Sequence, residues 1–446
     1  MSQASAHPPR AIPQSAGIPR LRWGIGVLLG IGILINYFDR VSLSVAAPQV
    51  QSEFALTPVH LGWLLSGFFW SYALLQIPVG MILDRYGVTA VNRASTFLWS
   101  LTCAATAFAS GFGTVFAARI GLGVAEAPGF PASSKATGYW FPRQERALAT
   151  AIFDAAAKFS NVIGVPLVAL VVVNFGWRWG FGVTAVLSFL YFVAFYIFYR
   201  DPSAHPKLAA EERDYIRAGG ATPEGPSGSG EFAMLGYLLR NRKVWGLTIG
   251  FAAYGYSFYL FLTWLPDYLV RTMHMDILKS AEFTAIPWGF ATIADLAVGG
   301  WLIDHLVKRG YDDTLVRKSV LVGGMVLGLA VIGAPFTTDP RWAVVWISIA
   351  LSGLAAAAPV GWSIPSLIAP RGGTASIGGV MNFFNNLMGV VAPIVTGYIV
   401  AATDSFSAAF IAAAIVLVIG ILSYVFVLGR LDPIPEPATS SLRGAA

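Results

Sequence analysis

Apolar stretches of spanning length recur along almost the whole chain, at about 23–47, 58–82, 91–110, 113–136, 146–172 and 178–200, and again at 244–270, 279–306, 316–335, 341–366, 373–400 and 405–429. A helix of about twenty apolar residues crosses the ~30 Å hydrocarbon layer of a bilayer. Inside that layer the backbone must satisfy its own polar groups, which leaves helices or closed barrels. A barrel would show segments of about ten residues with alternating character. These segments are too long for that. Only 12% of the 446 residues are charged, against about 25% in an ordinary soluble domain. Such a chain could not cover a soluble surface. The expected fold class is an all-α integral membrane protein of twelve transmembrane helices, arranged as two pseudo-symmetric six-helix bundles.

The two sets of six also repeat. Gly80-Met-Ile-Leu-Asp84-Arg85 follows the second span, and Gly300-Trp-Leu-Ile-Asp304-His305 follows the eighth, 220 residues later. Phe141-Pro142-Arg143 precedes the fifth span as Ala369-Pro370-Arg371 precedes the eleventh, 228 residues later. Near-constant offsets indicate a duplicated unit, and such repeats place a substrate site between the halves near the midplane. The expected boundaries are a cytoplasmic N-terminal tail over 1–22, an N-terminal bundle over 23–200 and a cytoplasmic linker over 201–241. A C-terminal bundle over 242–430 and a cytoplasmic C-terminal tail over 431–446 complete the chain. The linker holds a Pro/Gly/Ser-rich flexible part, and 205–218 could form a short charged helix.

With the N-terminus in the cytoplasm, 21 of the 29 Lys and Arg fall on cytoplasmic segments and only Arg178, Arg271, Lys279 and Arg341 outside. That bias predicts both termini and the linker on the cytoplasmic side of a cell inner membrane. It also accounts for the net charge of +6 without nucleic acid as a partner. The polar first 22 residues lack the apolar core and small-residue site of a cleaved signal peptide. Cys103, the single cysteine, reads as a small core residue. Four cations are left within spans: Arg40, Arg119, Lys135 and Lys158.

Gly80-x-x-x-Asp84-Arg85-x-Gly87 between the second and third spans, with six-plus-six topology, resembles the major facilitator superfamily. Ile35-Asn36-Tyr37-Phe38-Asp39-Arg40, Arg119-Ile-Gly-Leu-Gly-Val-Ala-Glu126-Ala-Pro128, Trp140-Phe-Pro-Arg-Gln-Glu145-Arg146 and Trp264-Leu-Pro-Asp-Tyr268 resemble, more narrowly, its anion:cation symporter family. That family includes bacterial galactonate, glucarate and hexuronate transporters. The resemblance covers nearly the whole chain and implies alternating access of a site between the bundles.

An ionised group at a helix centre costs about 2.5–3.5 kcal/mol, so Asp39, Arg40, Arg119 and Glu126 would cost about 10–14 kcal/mol unpaired. They must face a polar interior and each other. Arg119 and Glu126, two turns apart, share a face. Fixed ion pairs joining the first and fourth spans are one reading, although apolar packing joins helices at lower cost. In the other, the arginines bind a carboxylate through their planar forks, and Asp39 and Glu126 carry protons. A carboxyl's proton affinity depends on its solvation and on neighbouring charge, so substrate on an arginine is coupled to protons on the acids. The resemblance implies the same four roles.

Tyr37 and Tyr72 are either packing aromatics or substrate contacts, and the resemblance favours contact. In the seventh span Tyr256 and Tyr259 share a face expected to line the cavity, with Tyr254 turned away from Tyr256, and Pro266 is expected to bend the outer end. In the eleventh, Asn382 and Asn386 lie one turn apart, placed either in interhelical hydrogen bonds or, by resemblance, against substrate. Asp154 and Lys158 have ion-pair spacing. They form a neutral pair that shapes the cavity, or Lys158 binds a second carboxylate. Asp295 has no reading. Asp84, Arg85 and Asp304 are expected conformational-switch residues, Asp84 against the helix N-terminus near Gly372-Gly373.

His7, His60, His205, His274 and His305 are scattered without metal-ligand spacing, and no phosphate-binding loop is present. No metal, cofactor or catalytic constellation is expected, so the chain is not read as an enzyme. The expected function is import of an organic anion, a sugar acid such as a hexonate, aldarate or hexuronate, together with protons. A monomer suffices for it. Alternatives are an organic-anion uniporter or exchanger, a drug-type exporter on the same fold, or a non-transporting membrane sensor.

Overall fold

A computed structural model describes residues 18–142, 145–222, 224, 231–370 and 373–436. Its N-terminal half holds α1 (Leu21–Phe54), α2 (Pro58–Ala107), α3 (Phe112–Glu126), α4 (Gly129–Trp140), α5 (Arg146–Phe175) and α6 (Trp177–Phe198). Two short helices follow, α7 (Ala210–Ala218) and α8 (Glu231–Leu238). The second half holds α9 (Arg242–Arg271), α10 (Ile277–Ala294), α11 (Ile303–Lys308), α12 (Asp313–Gly328), α13 (Pro340–Ile368), α14 (Thr374–Thr403) and α15 (Ser407–Leu422). The protein is an all-α multi-pass membrane protein whose twelve spans form two six-helix bundles.

Among the described residues seven helices are long and apolar enough to cross a bilayer, and a pair within α2, bent by 70°, adds to them. Of the remaining spans, α9 is continuous over 30 residues, whereas the fourth and the eighth are interrupted. At 50 residues α2 would be ~75 Å long if straight, far more than one bilayer. Gly87 divides it with φ 76° and ψ 166°, a backbone conformation that glycine reaches without steric cost. The fourth span, expected unbroken over 113–136, is α3 plus α4. The break falls at Ala127 and Pro128, because Pro128 has no N–H to continue the ladder. The eighth span changes from α10 to a π-helical stretch, Asp295–Leu302, before α11. In the linker, helix begins only at Ala210, after Pro206, and α8 is a second helix that the Pro/Gly-rich composition did not announce.

Equivalent helices pack alike in the two halves. α1 lies on α5 as α9 lies on α14, and α2 lies on α3 as α10 lies on α13. Between halves, α1 meets α9, α2 meets α14 and α5 meets α10. The halves are tightest at the end where α2 begins. A Cβ on Gly62 would come within 2.6 Å of the Pro393 carbonyl, and one on Gly397 within 2.6 Å of the Pro58 carbonyl. Two backbones thus touch across the interface, the close approach that small residues permit in membranes. Arg271 on α9 donates to Gln51 on α1 at this same end. Farther along the same helices, a Cβ on Gly80, Gly378 or Gly379 would meet nothing within 4 Å.

Candidate functional site

The four intramembrane ions gather in the N-terminal bundle. α1 supplies Asp39 and Arg40, buried to 1% and 5% exposure, and α3 supplies Arg119 and Glu126, both at 1%. Glu126 is the last residue of α3, so its carboxylate stands beside the Pro128 break rather than within a continuous helix. Arg40 Nε donates to Glu126 Oε2 at 3.4 Å. Its guanidinium lies 4.6 Å from the ring centres of Tyr37, Phe68 and Tyr72, an aromatic cage that holds a cation by its ring faces. Arg119 Nη1 donates to the Asp39 main-chain carbonyl at 3.0 Å.

Asp39 and Arg40 are adjacent in sequence but their side chains diverge. Asp39 Oδ2 accepts from the Trp99 indole and from Ser188 Oγ at 3.1 Å, so it faces α2 and α6. Burying a carboxylate is tolerable only with such donors. Asp39 Oδ1, Arg40 Nη2, Arg119 Nε and Glu126 Oε1 are all buried without a hydrogen-bond partner. Two guanidinium donors and two carboxylate acceptors are therefore unspent. Fixed structural pairs would use them, because an unsatisfied buried polar atom costs about 1–3 kcal/mol.

Across the interface, Tyr259 Oη donates to Asn386 Oδ1 at 2.9 Å, and Asn386 Nδ2 donates to Asn382 Oδ1 at 2.8 Å. Asn382 Nδ2 reaches Gln76 Oε1 on α2 at 3.4 Å. This polar chain runs from α9 through α14 to the N-terminal half. Tyr259 also sets its ring edge against Phe69, centres 4.6 Å apart, next to the Arg40 cage. Tyr37, Tyr72, Tyr259, Asn382 and Asn386 therefore sit with the arginines. Tyr256 does not. Its hydroxyl is buried without a hydrogen-bond partner, whereas Tyr254, expected to turn away, lies within electrostatic reach of Lys158, Asp295 and Tyr37. The packing of α9 on α14 decides this; the periodicity of an isolated helix could not.

Lys158 has the expected i,i+4 partner, with Nζ 2.8 Å from Asp154 Oδ2, and a second one 3.1 Å away, Asp295 Oδ2 of the opposite bundle. Asp84 pairs with Lys135 of α4, a partner not anticipated, since Lys135 is 51 residues away in the chain. Gly372, half of the expected contact, lies outside the described residues, as does the side chain of Asp304. Arg85 is exposed, with its guanidinium over the ring of Tyr86 at 5.3 Å. Sequence reasoning missed Trp99, Ser188 and Phe68. The first two are polar groups inside apolar spans, which was a usable signal; Phe68 carried none.

Two helical bundles around a buried, partly unsatisfied set of charges have the architecture of a membrane transporter. A profile described as Major Facilitator Superfamily matches residues 29–393, and the chain belongs to that superfamily. It is 44% identical over 411 residues to "Uncharacterized transporter YybO" of Bacillus subtilis (strain 168), covering 92% of this chain and 94% of that one. It is 34% identical over 422 residues to "Probable galactarate/D-glucarate transporter GarP" of Escherichia coli (strain K12), covering 92% and 95%. A solved bacterial homologue of the human lysosomal transporter Spinster, in an inward-facing and unoccupied conformation, superposes with a TM-score of 0.73 at 17% identity, over 95% of this chain and 100% of that one. That likeness speaks for the fold alone.

Proposed function

We propose that the protein imports an organic anion, a sugar acid with one or two carboxylates, together with protons, by alternating access of the space between the bundles. The observation that carries this reading is the Arg40–Glu126 pair with its unspent donor and acceptor atoms. A substrate carboxylate is a better partner for the planar guanidinium forks than a single 3.4 Å contact. When it arrives, Glu126 loses its counter-ion and takes up a proton instead. Asp39, one residue from Arg40 and tied to Arg119 through its carbonyl, is the second proton carrier. Tyr37, Tyr72, Tyr259, Asn382 and Asn386 meet the hydroxyls, Tyr256 supports α9 against α14, and Asp84, Arg85 and Asp304 act in the conformational switch. The printed name of the galactarate/D-glucarate relative supports the substrate class.

In this reading both termini and the 201–241 linker face the cytoplasm of a cell inner membrane, between bundles spanning 23–200 and 242–430, and a monomer suffices. The test is proton flux in proteoliposomes on adding hexonates, hexuronates and aldarates. External alkalinisation with one acid class, lost in Arg40→Ala, is the expected result. Silence across the panel from protein that those acids stabilise thermally would sink the coupling roles of Asp39 and Glu126.

A further inference from the structure

Lys158 stands outside the Arg40–Glu126 pair. Its side chain is 8% exposed, and it is shared between Asp154 at 2.8 Å and Asp295 at 3.1 Å. Asp295 begins the π-helical stretch Asp295–Leu302 of the opposite bundle. Such stretches are rare and concentrate at functional positions. The Asp295 Oδ1 atom is buried with no hydrogen-bond partner. As a mere join between bundles the arrangement is poor. Desolvating the charges offsets much of their attraction, and apolar side chains would hold α5 to α10 as well. Alternating access also requires these two helices to separate in each cycle. A cation held by a half-satisfied carboxylate from the far side of a moving interface is suited to exchanging that carboxylate for another.

We propose that Lys158 is a second anion anchor, which takes the far carboxylate of a dianionic substrate whose first carboxylate sits on Arg40 and Arg119, and that Asp295 is the counter-ion it displaces. The inference rests on the organic-anion reading above and deepens it. Tyr37 connects the two anchors. Its ring lies against the Arg40 guanidinium at 4.6 Å and packs with Phe153 and Ala157, the residue before Lys158. Tyr37 thus lies within electrostatic reach of both cations, so one polyhydroxylated acid with a carboxylate at each end could engage the two sites. Without a dianion, Asp295 holds Lys158 and joins the bundles. With one, the substrate replaces Asp295, and α10 is released from α5. A monoanion occupies the arginines and leaves the Lys158–Asp295 join intact, so Lys158 discriminates between one carboxylate and two.

The test is calorimetric titration of the full chain in lipid nanodiscs with galactarate, which carries two carboxylates, and galactonate, which carries one. Lys158→Gln is expected to lower the ratio of galactarate to galactonate affinity about 30-fold, the effect of losing one partner of a buried charge pair. Asp295→Asn, which removes the competitor, is expected to raise that ratio. Lys158→Met with Asp295→Leu deletes both charges together, guards against misfolding, and is expected to bind galactonate with the same lost preference. Equal losses for the two acids in Lys158→Gln, or a wild type that binds galactonate alone, overturn the second anchor and leave the organic-anion reading standing. A wild type that binds neither acid overturns the second anchor, and the proton-flux panel above then decides the organic-anion reading separately.

Discussion

Gly62 and Gly397 place α2 and α14 in backbone contact at one end of the interface, and that contact can be weakened by a single methyl group. The Cβ of Gly62→Ala would sit 2.6 Å from the Pro393 carbonyl, with the Ile394 Cα a further 3.3 Å neighbour. Both are backbone atoms, so no rotamer change relieves the clash and the helices must separate. Overpacking of this kind costs about 1–3 kcal/mol. Only the conformation closed at this end bears the cost, so its population falls about 5- to 150-fold relative to the alternative open there. Ser66 is fully buried on the helix face between Gly62 and Phe69, and Ser66→Cys makes a near-isosteric reporter. The native Cys103, 1% exposed, is replaced by serine to clear the background. Labelling of Cys at 66 by a membrane-impermeant maleimide should accelerate in proportion to the open population, in Gly62→Ala and independently in Gly397→Ala. A change of less than about twofold in both variants, with thermal stability retained, would refute the claim that this crossing holds the end closed.

Arg22 at the start of α1 donates to Glu145 at 2.7 Å and to Glu212 at 3.0 Å, and Glu212 also accepts the main-chain N–H groups of Leu21 and Arg22 at 3.1 Å. Glu212→Gln leaves Arg22 short of one buried partner, a loss of about 3–5 kcal/mol, so trypsin should cut after Arg213 and Arg217 faster than in the wild type. Glu145 should make the same docking acid-sensitive. Burial pulls its carboxyl upward, but hydrogen bonds from Arg22 and Tyr215 outweigh that and hold it below its ordinary 4.5. A depressed carboxyl contributes stability that is complete above the unfolded value and lost as pH falls through the folded one. Hydrogen exchange of the α7 amides should therefore rise as pH falls below the ordinary carboxyl value of 4.5, beyond the intrinsic rate change. Arg40→Lys keeps the charge but loses the fork and the stacking on three rings, and should cut uptake at least tenfold, measured with radiolabelled acid.

Several of these features were legible without coordinates, for a physical reason in each case. Spans announce themselves because the bilayer demands about twenty consecutive apolar residues. Asp39, Arg40, Arg119 and Glu126 stood out because ionised groups inside such spans are expensive. Their partners were not legible. Trp99 and Ser188, which hold Asp39, lie 60 and 149 residues from it, and nothing local couples those positions. Tyr254 and Tyr256 exchanged places relative to expectation because which face of α9 meets the other half depends on how α9 packs on α14. Asp295 was visible only as an anomaly until α10 was seen against α5.

The sequence by itself determined the class of structure, the count of spans, the duplication and the identity of the charges that must be buried together, since solvation by lipid acts on each segment in turn. Only the tertiary structure decided that Arg40 pairs with Glu126 within a ring of aromatics, that α2 and α14 touch through glycines at one end, and that Lys158 is shared across the bundles. Those are contacts between residues tens to hundreds of positions apart, and their energies depend on distance and direction in space, which no periodicity along the chain encodes.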